Sequence, residues 1–80
     1  MIHRDVLIDY LRRAFPDATV TLSDRTGAAD HYGLQVVSEA FADKDLLDRN
    51  RMVYRALDEP LRDGRLHAIE IKALTPRESA

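Results

Sequence analysis

No cysteine occurs among the 80 residues. A disulfide framework, a CxxC redox site and an all-thiolate metal site are therefore excluded, and the chain needs no oxidising compartment. An excess of charge of one sign is also missing. Twelve Lys and Arg against fourteen Asp and Glu leave a net charge of −2, whereas nucleic-acid binders usually carry a net basic surface. That balance still leaves room for a local basic stripe. No apolar run is long enough to span a bilayer, and the opening stretch MIHRDVLIDYLRRAF sets acids inside its apolar pattern, unlike a signal peptide. A cytoplasmic protein is the expectation. No nucleophile–base pair, phosphate-cradling glycine loop or pair of carboxylates can be placed at one site. A chain this short builds one core with little room for a deep cleft as well, so enzymatic activity is not expected.

What is present reads as an ordinary globular domain, 45% hydrophobic and 32% charged, without repeats or low-complexity tracts. A single domain over residues 1–80 follows. Leu7, Leu11, Ala14 and Phe15 fall on one helical face between His3 and Phe15, widened by Val6 and Tyr10. Pro16 stops that helix, because proline disfavours the helical conformation of the residue before it. Ala18, Val20 and Leu22 then alternate with polar residues, as do Tyr32, Leu34 and Val36. Two strands joined by the short loop DRTGAAD are most simply an antiparallel hairpin.

After the turn EAFADKD, Asp45 is placed to cap a helix over LLDRNRMVYRAL. Its apolar rows are Leu46, Val53 and Leu57, with Leu47, Tyr54 and Leu61 beside them, which assigns Tyr54 to the core. Pro60 and Gly64 break or turn this helix. A last strand runs from Leu66 to Leu74, ended by Thr75-Pro76, with residues 76–80 expected to fray. The order α-β-β-α-(short α)-β predicts a two-layer α+β sandwich with a three-stranded mixed sheet covered on one face by helices.

One residue in the last strand is out of keeping. In RLHAIEIKALTP, Ile69 and Ile71 share a face, and His67 falls on that face two positions earlier. From the residues alone, His67 is either a packed histidine whose nitrogens find backbone partners or a ligand offered outward.

The stretch DHYGLQVVSEAFADKDLLDRNRMVYRALDEPL together with RLHAIEIKALTP resembles the BolA family, over more than half of the chain and in the family's order. The pattern around the second helix, Phe-x-Gly-x-Ser, Arg-His-Arg, Val-Tyr and a leucine, reads here Phe41, Asp43, Asp45, Arg49-Asn50-Arg51, Val53-Tyr54 and Leu57. The later motif reads His67-Ala68-Ile69-Glu70-Ile71-Lys72 and Thr75-Pro76. Asp43 stands in place of glycine, Asp45 in place of serine and Asn50 in place of histidine. The resemblance extends to the class II K-homology fold, whose GxxG loop brings backbone amides to nucleic-acid phosphates. The acidic ADKD in that place would repel phosphate.

The resemblance implies an adaptor that binds a monothiol glutaredoxin and shares a bridging [2Fe–2S] cluster with it, in cluster assembly, transfer or iron and redox sensing. It implies His67 as an imidazole ligand and a second ligand from the loop between the first two strands. His31 is the nitrogen candidate there, with Asp24 and Asp30 as poorer oxygen donors. The glutaredoxin would bring its own cysteine and a glutathione thiol. Imidazole in place of thiolate on one iron raises a cluster's potential and makes ligation sensitive to pH near neutrality. His3, near the start among polar residues, reads as solvated. The alternative is a DNA-binding transcriptional regulator that uses Arg49, Arg51 and Arg55 of the second helix with Lys44 nearby. Arg65 and Lys72 flank the His67 strand as further candidates for holding a partner.

Overall fold

The computed structural model describes residues 1–80. Helix α1 (Arg4–Ala14) begins at His3, whose Nδ1 accepts from the Asp5 N–H at 3.1 Å. His3 is therefore a helix cap that remains in contact with solvent. Leu7 and Leu11 are buried on α1 and Phe15 just beyond its end, while Val6 and Ala14 face water. Strands β1 (Thr19–Asp24) and β2 (His31–Val37) form the antiparallel hairpin, with Leu22 opposite Leu34 and Val20 opposite Val36. Period-2 alternation sends Tyr32, Leu34 and Val36 into the core and leaves His31, Gly33 and Gln35 on the far face.

Ser38 caps a single 3-10 turn, Glu39–Phe41, and inserts Phe41 completely into the core. The Asp17 carboxylate locks this corner. It accepts from the Ser38 hydroxyl at 2.6 Å and the Glu39 N–H at 2.9 Å, and the first of these bonds chiefly lowers its pKa. Asp43 follows with φ of 62°. This left-handed backbone suits glycine, and aspartate is among the few other residues that adopt it readily. The residue at the family's glycine position thus keeps a glycine-like conformation.

Asp45 caps helix α2 (Leu46–Ala56) by accepting from the Asp48 N–H at 2.8 Å. Helix α3 (Asp58–Arg62) follows almost at once and buries Pro60. Strand β3 (Ala68–Leu74) then pairs parallel to β2, giving the strand order β1-β2-β3. The mixed sheet and the helical layer agree with the α+β architecture read from the sequence. No helix is long and apolar enough to cross a membrane.

Besides Val6 and Ala14, two local expectations change. Val53 and Leu57 are buried, but Leu46, Leu47 and Tyr54 are exposed. Tyr54 lies about 100° around the helix from Val53, which carries its ring away from the core, and the two leucines occupy the first turn. The chain from residue 76 also does not fray. Pro76–Ser79 form one helical turn, α4, in which Thr75 accepts from the Glu78 N–H and Glu78 accepts from the Thr75 N–H. This reciprocal capping satisfies both orphan donors.

Candidate functional site

His67 stands at the entrance to β3, fixed by its main chain. Its N–H donates to the Asp30 carbonyl at 2.7 Å, and the Ala68 N–H reaches the same oxygen at 3.2 Å. The side chains repeat this pairing: His67 Nδ1 lies 3.1 Å from Asp30 Oδ2, and Thr26 Oγ1 donates to Asp30 Oδ1 at 2.9 Å. A carboxylate beside Nδ1 favours the tautomer that carries its proton there, leaving the Nε2 lone pair free. The His67 side chain is 65% exposed, so this is an oriented imidazole presented to solvent. Metal-binding histidines characteristically have this kind of carboxylate support behind the ring.

His31 occupies a different place. It pairs across the ladder with Ala68, and consecutive side chains in a strand alternate between faces. His31 therefore projects from the open face of the sheet, on the side of Ala68. Its Nε2 lies 3.5 Å from Glu70 Oε2, which Arg25 Nε approaches at 3.2 Å. Arg25 crosses the sheet directly over Gly33, where a Cβ would lie only 2.5 Å from its Nη2. Glycine at 33 is what permits this close crossing. Asp24 is committed to its own loop, accepting from the N–H groups of Thr26, Gly27 and Ala29. No group of three or more His, Asp or Glu side chains is arranged to hold a metal ion.

The six cationic candidates separate into three settings. Arg49 is consumed within the fold: it donates to the carbonyls of Lys44 at 2.9 Å and Ala73 at 3.1 Å, and to both Glu78 oxygens at 2.6 and 3.1 Å. Its side chain is only 13% exposed. Arg65 is likewise engaged, with Asp63 at 2.9 Å, Glu59 at 3.5 Å and the Tyr10 hydroxyl at 3.0 Å. Lys44, Arg51 and Arg55 remain exposed and line a shallow concavity on α2 with Asp48 and Met52. Lys72 is exposed on the open face of the sheet, alongside Gln35 and Glu70. These side chains do not form one continuous basic surface. Asn50, at the family's histidine position, keeps its Oδ1 buried without a donor.

The Arg49–Glu78 clamp has a consequence for acid stability. The bonds from Arg49, and next the Thr75 N–H, hold the Glu78 carboxyl down from 4.5 to about 2. A carboxyl with a depressed folded-state pKa stabilises the fold above its unfolded pKa, and that contribution fades as pH falls through the folded value. Glu78→Gln should therefore be less stable than the wild type at pH 6. The two should converge as pH falls from about 4.5 toward about 2. Urea unfolding at a series of pH values measures the gap. A gap independent of pH would assign the loss to packing instead.

The structure gives two of these contributors other places than the sequence suggests. Asp30, an oxygen-ligand candidate in the sequence, lies beside His67 Nδ1. Glu78 falls in the segment expected to fray, although Thr-Pro-x-Glu itself carries the signature of a capping box with proline in the first turn.

The fold and the oriented histidine at its third strand define a BolA-like domain. The family model described as "BolA-like protein" matches residues 13–78, and the chain belongs to that family. The chain is 34% identical over 77 residues to an Acinetobacter guillouiae protein described as an uncharacterized protein in the rpoN-murA intergenic region. That match covers 96% of this chain and 89% of the relative. Among solved structures, BolA1 from Arabidopsis thaliana superposes with a TM-score of 0.86 at 28% identity, covering 100% of both chains. The BolA domain of SufE1 from Arabidopsis thaliana does so with a TM-score of 0.82 at 28% identity, covering 98% of this chain and 99% of that one.

Proposed function

We propose that this BolA-like protein is a cytoplasmic, non-enzymatic adaptor that binds a monothiol glutaredoxin and lends His67 to a [2Fe–2S] cluster shared between the two. The observation that carries this reading is the solvent-facing imidazole of His67, backed at Nδ1 by Asp30 at 3.1 Å. The donor set fits a shared group and not a private one. The chain has no thiol and no group of three ligating side chains, so thiolate ligands would come from the partner, which the resemblance makes a glutaredoxin cysteine and glutathione. Histidine in place of thiolate would supply a less negative, higher-potential cluster. This chain's own part is to bind the partner and to hold the His67 ring beside Asp30. His31, the candidate second ligand, lies against Glu70 in the free protein and would leave that pair to reach the cluster.

The test is an anaerobic titration of the protein into cluster-loaded monothiol glutaredoxin, followed by visible circular dichroism. The wild type should produce a spectrum distinct from that of the glutaredoxin alone, and His67→Ala should abolish it. His31→Ala distinguishes the two ligand assignments by whether the spectrum survives. An unchanged spectrum with His67→Ala would refute the ligand role and leave a docking module.

The second reading is a DNA-binding regulator, favoured by the exposed Arg51 and Arg55 on α2 and Lys44 just before it. Contacts through these three would give an affinity falling with salt at a logarithmic slope of no more than about −3. Binding that ignores salt, or ignores Arg51→Ala and Arg55→Ala, would eliminate it.

A further inference from the structure

The outer edge of β3 is unpaired, and its sequence is complementary to itself. The direction of each peptide group is fixed by three bonds. The Leu74 carbonyl accepts from Ser38 and the Ala68 N–H donates to Asp30, so the even-numbered residues face β2. The Ala73 carbonyl instead meets Arg49 from the other side. By alternation, the N–H and C=O groups of Ile69, Ile71 and Ala73 point outward. The side chains of Ile69 and Ile71 are only partly covered by the helices. An exposed edge with half-buried aliphatics is a template for strand addition.

We propose that this edge pairs antiparallel with β3 of a second copy of the chain, about a two-fold axis through Ile71, to give a continuous six-stranded sheet. In this register Ile71 faces Ile71 of the partner subunit, and Ile69 faces the partner subunit's Ala73. Both pairings join outward-facing peptide groups, as antiparallel hydrogen-bonded pairs require. On the open face, Glu70 falls opposite Lys72 of the partner subunit, and Lys72 opposite the partner subunit's Glu70. Opposite charges directly across a ladder are stabilising. Sliding the register by one step either way sets Glu70 against Glu70 or Lys72 against Lys72, so charge selects one alignment. The Ala73 carbonyl retains a second lone pair beside the Arg49 bond.

The other sheet edge does not share this property. On β1 the Arg25 N–H turns toward β2, so Val20, Leu22 and Asp24 face outward. A two-fold axis at Leu22 would set Val20 against Asp24, whose carboxylate already serves three loop amides. Charge complementarity therefore singles out β3. The proposal is independent of any metal at His67.

Sedimentation velocity over a concentration series up to about 1 mM tests it, a range that reaches even weak association. The wild type should dimerise reversibly. Lys72→Glu sets two like-charge pairs across the axis and should weaken the dimer by at least about tenfold. Lys72 takes part in none of the ion pairs on this face, which join Glu70 to Arg25 and His31, so this substitution removes no bond from the fold. Glu70→Lys should be equally dissociated, while an equimolar mixture of the two variants should associate, since each then supplies the charge the other lacks. Amide exchange at Ile69, Ile71 and Ala73 should slow as wild-type concentration rises, a readout that does not depend on how Glu70→Lys folds. A wild type that stays monomeric throughout would overturn the proposal, even if the edge captured an unrelated extended peptide. A dimer indifferent to Lys72→Glu would overturn it as well.

Discussion

Phe41→Ala is expected to cost about 3–5 kcal/mol, a large share of what a domain of this size has. Phe41 is fully buried, and its ring centroid lies 5.1 Å from that of Phe15 at an interplanar angle of 49°. It enters the core from a 3-10 turn whose Ser38 cap is held by Asp17. That corner is fixed by hydrogen bonds, so it cannot collapse into the cavity that the missing ring would leave, which places the cost toward the upper end for such truncations. Total stability for 80 residues should be on the order of 4–12 kcal/mol. The variant should accordingly show a greatly reduced urea midpoint and a substantial unfolded fraction near physiological temperature. Tyr54→Ala is the matched control. Its ring is 47% exposed on α2, and its removal should shift stability by no more than about 0.5 kcal/mol. Equal losses for the two would show that Phe41 contributes no more to the core than the exposed Tyr54.

Asp30→Ala carries the second large effect, and it bears on the proposed cluster interface. The carboxylate supports His67 Nδ1 and is itself held by Thr26. Removing it leaves the Asp30 carbonyl in place to receive the His67 and Ala68 N–H groups, so the strand should still form. The ring, however, loses its preferred tautomer and orientation. Loss of such a supporting group weakens metal affinity by about 10–100-fold. Competition of cluster-loaded glutaredoxin between wild-type and Asp30→Ala protein should show a shift of that size, with far-UV circular dichroism unchanged. Asp30→Asn retains an acceptor oxygen and should recover part of the loss. Affinity indifferent to both substitutions would show that the neighbouring carboxylate does not act through His67.

Residue patterns disclosed most of the architecture because burial imposes periodicity. The alternation Tyr32, Leu34, Val36 marks β2 directly, and Leu7 with Leu11 mark the inner face of α1. Helix α2 was less legible at its start: Leu46 and Leu47 have the spacing of core residues, but the first turn projects past the layer they would pack against. The site follows the same logic. His67 could be singled out because a titratable ring interrupts an aliphatic strand. Its support could not, since Asp30 reaches it only through the parallel pairing of β2 with β3, a contact absent from any local window. The same holds for Arg49 and Glu78. Their charges are visible in sequence, but the clamp exists only once β3 has been laid beside β2 and α4 has turned back toward α2.

That late closure has a bearing on biosynthesis. A ribosome delivers α1, α2, α3 and the β1–β2 hairpin before residues 66–78. Until then one side of β2 lacks its ladder, and the guanidinium of Arg49 has neither the Ala73 carbonyl nor Glu78 to bind. Pairing across a long crossover must be achieved before its contacts reward the lost entropy. The nascent chain should therefore stay protease-sensitive and available to chaperones until this closing stretch has cleared the exit tunnel, and then fold in a single cooperative step.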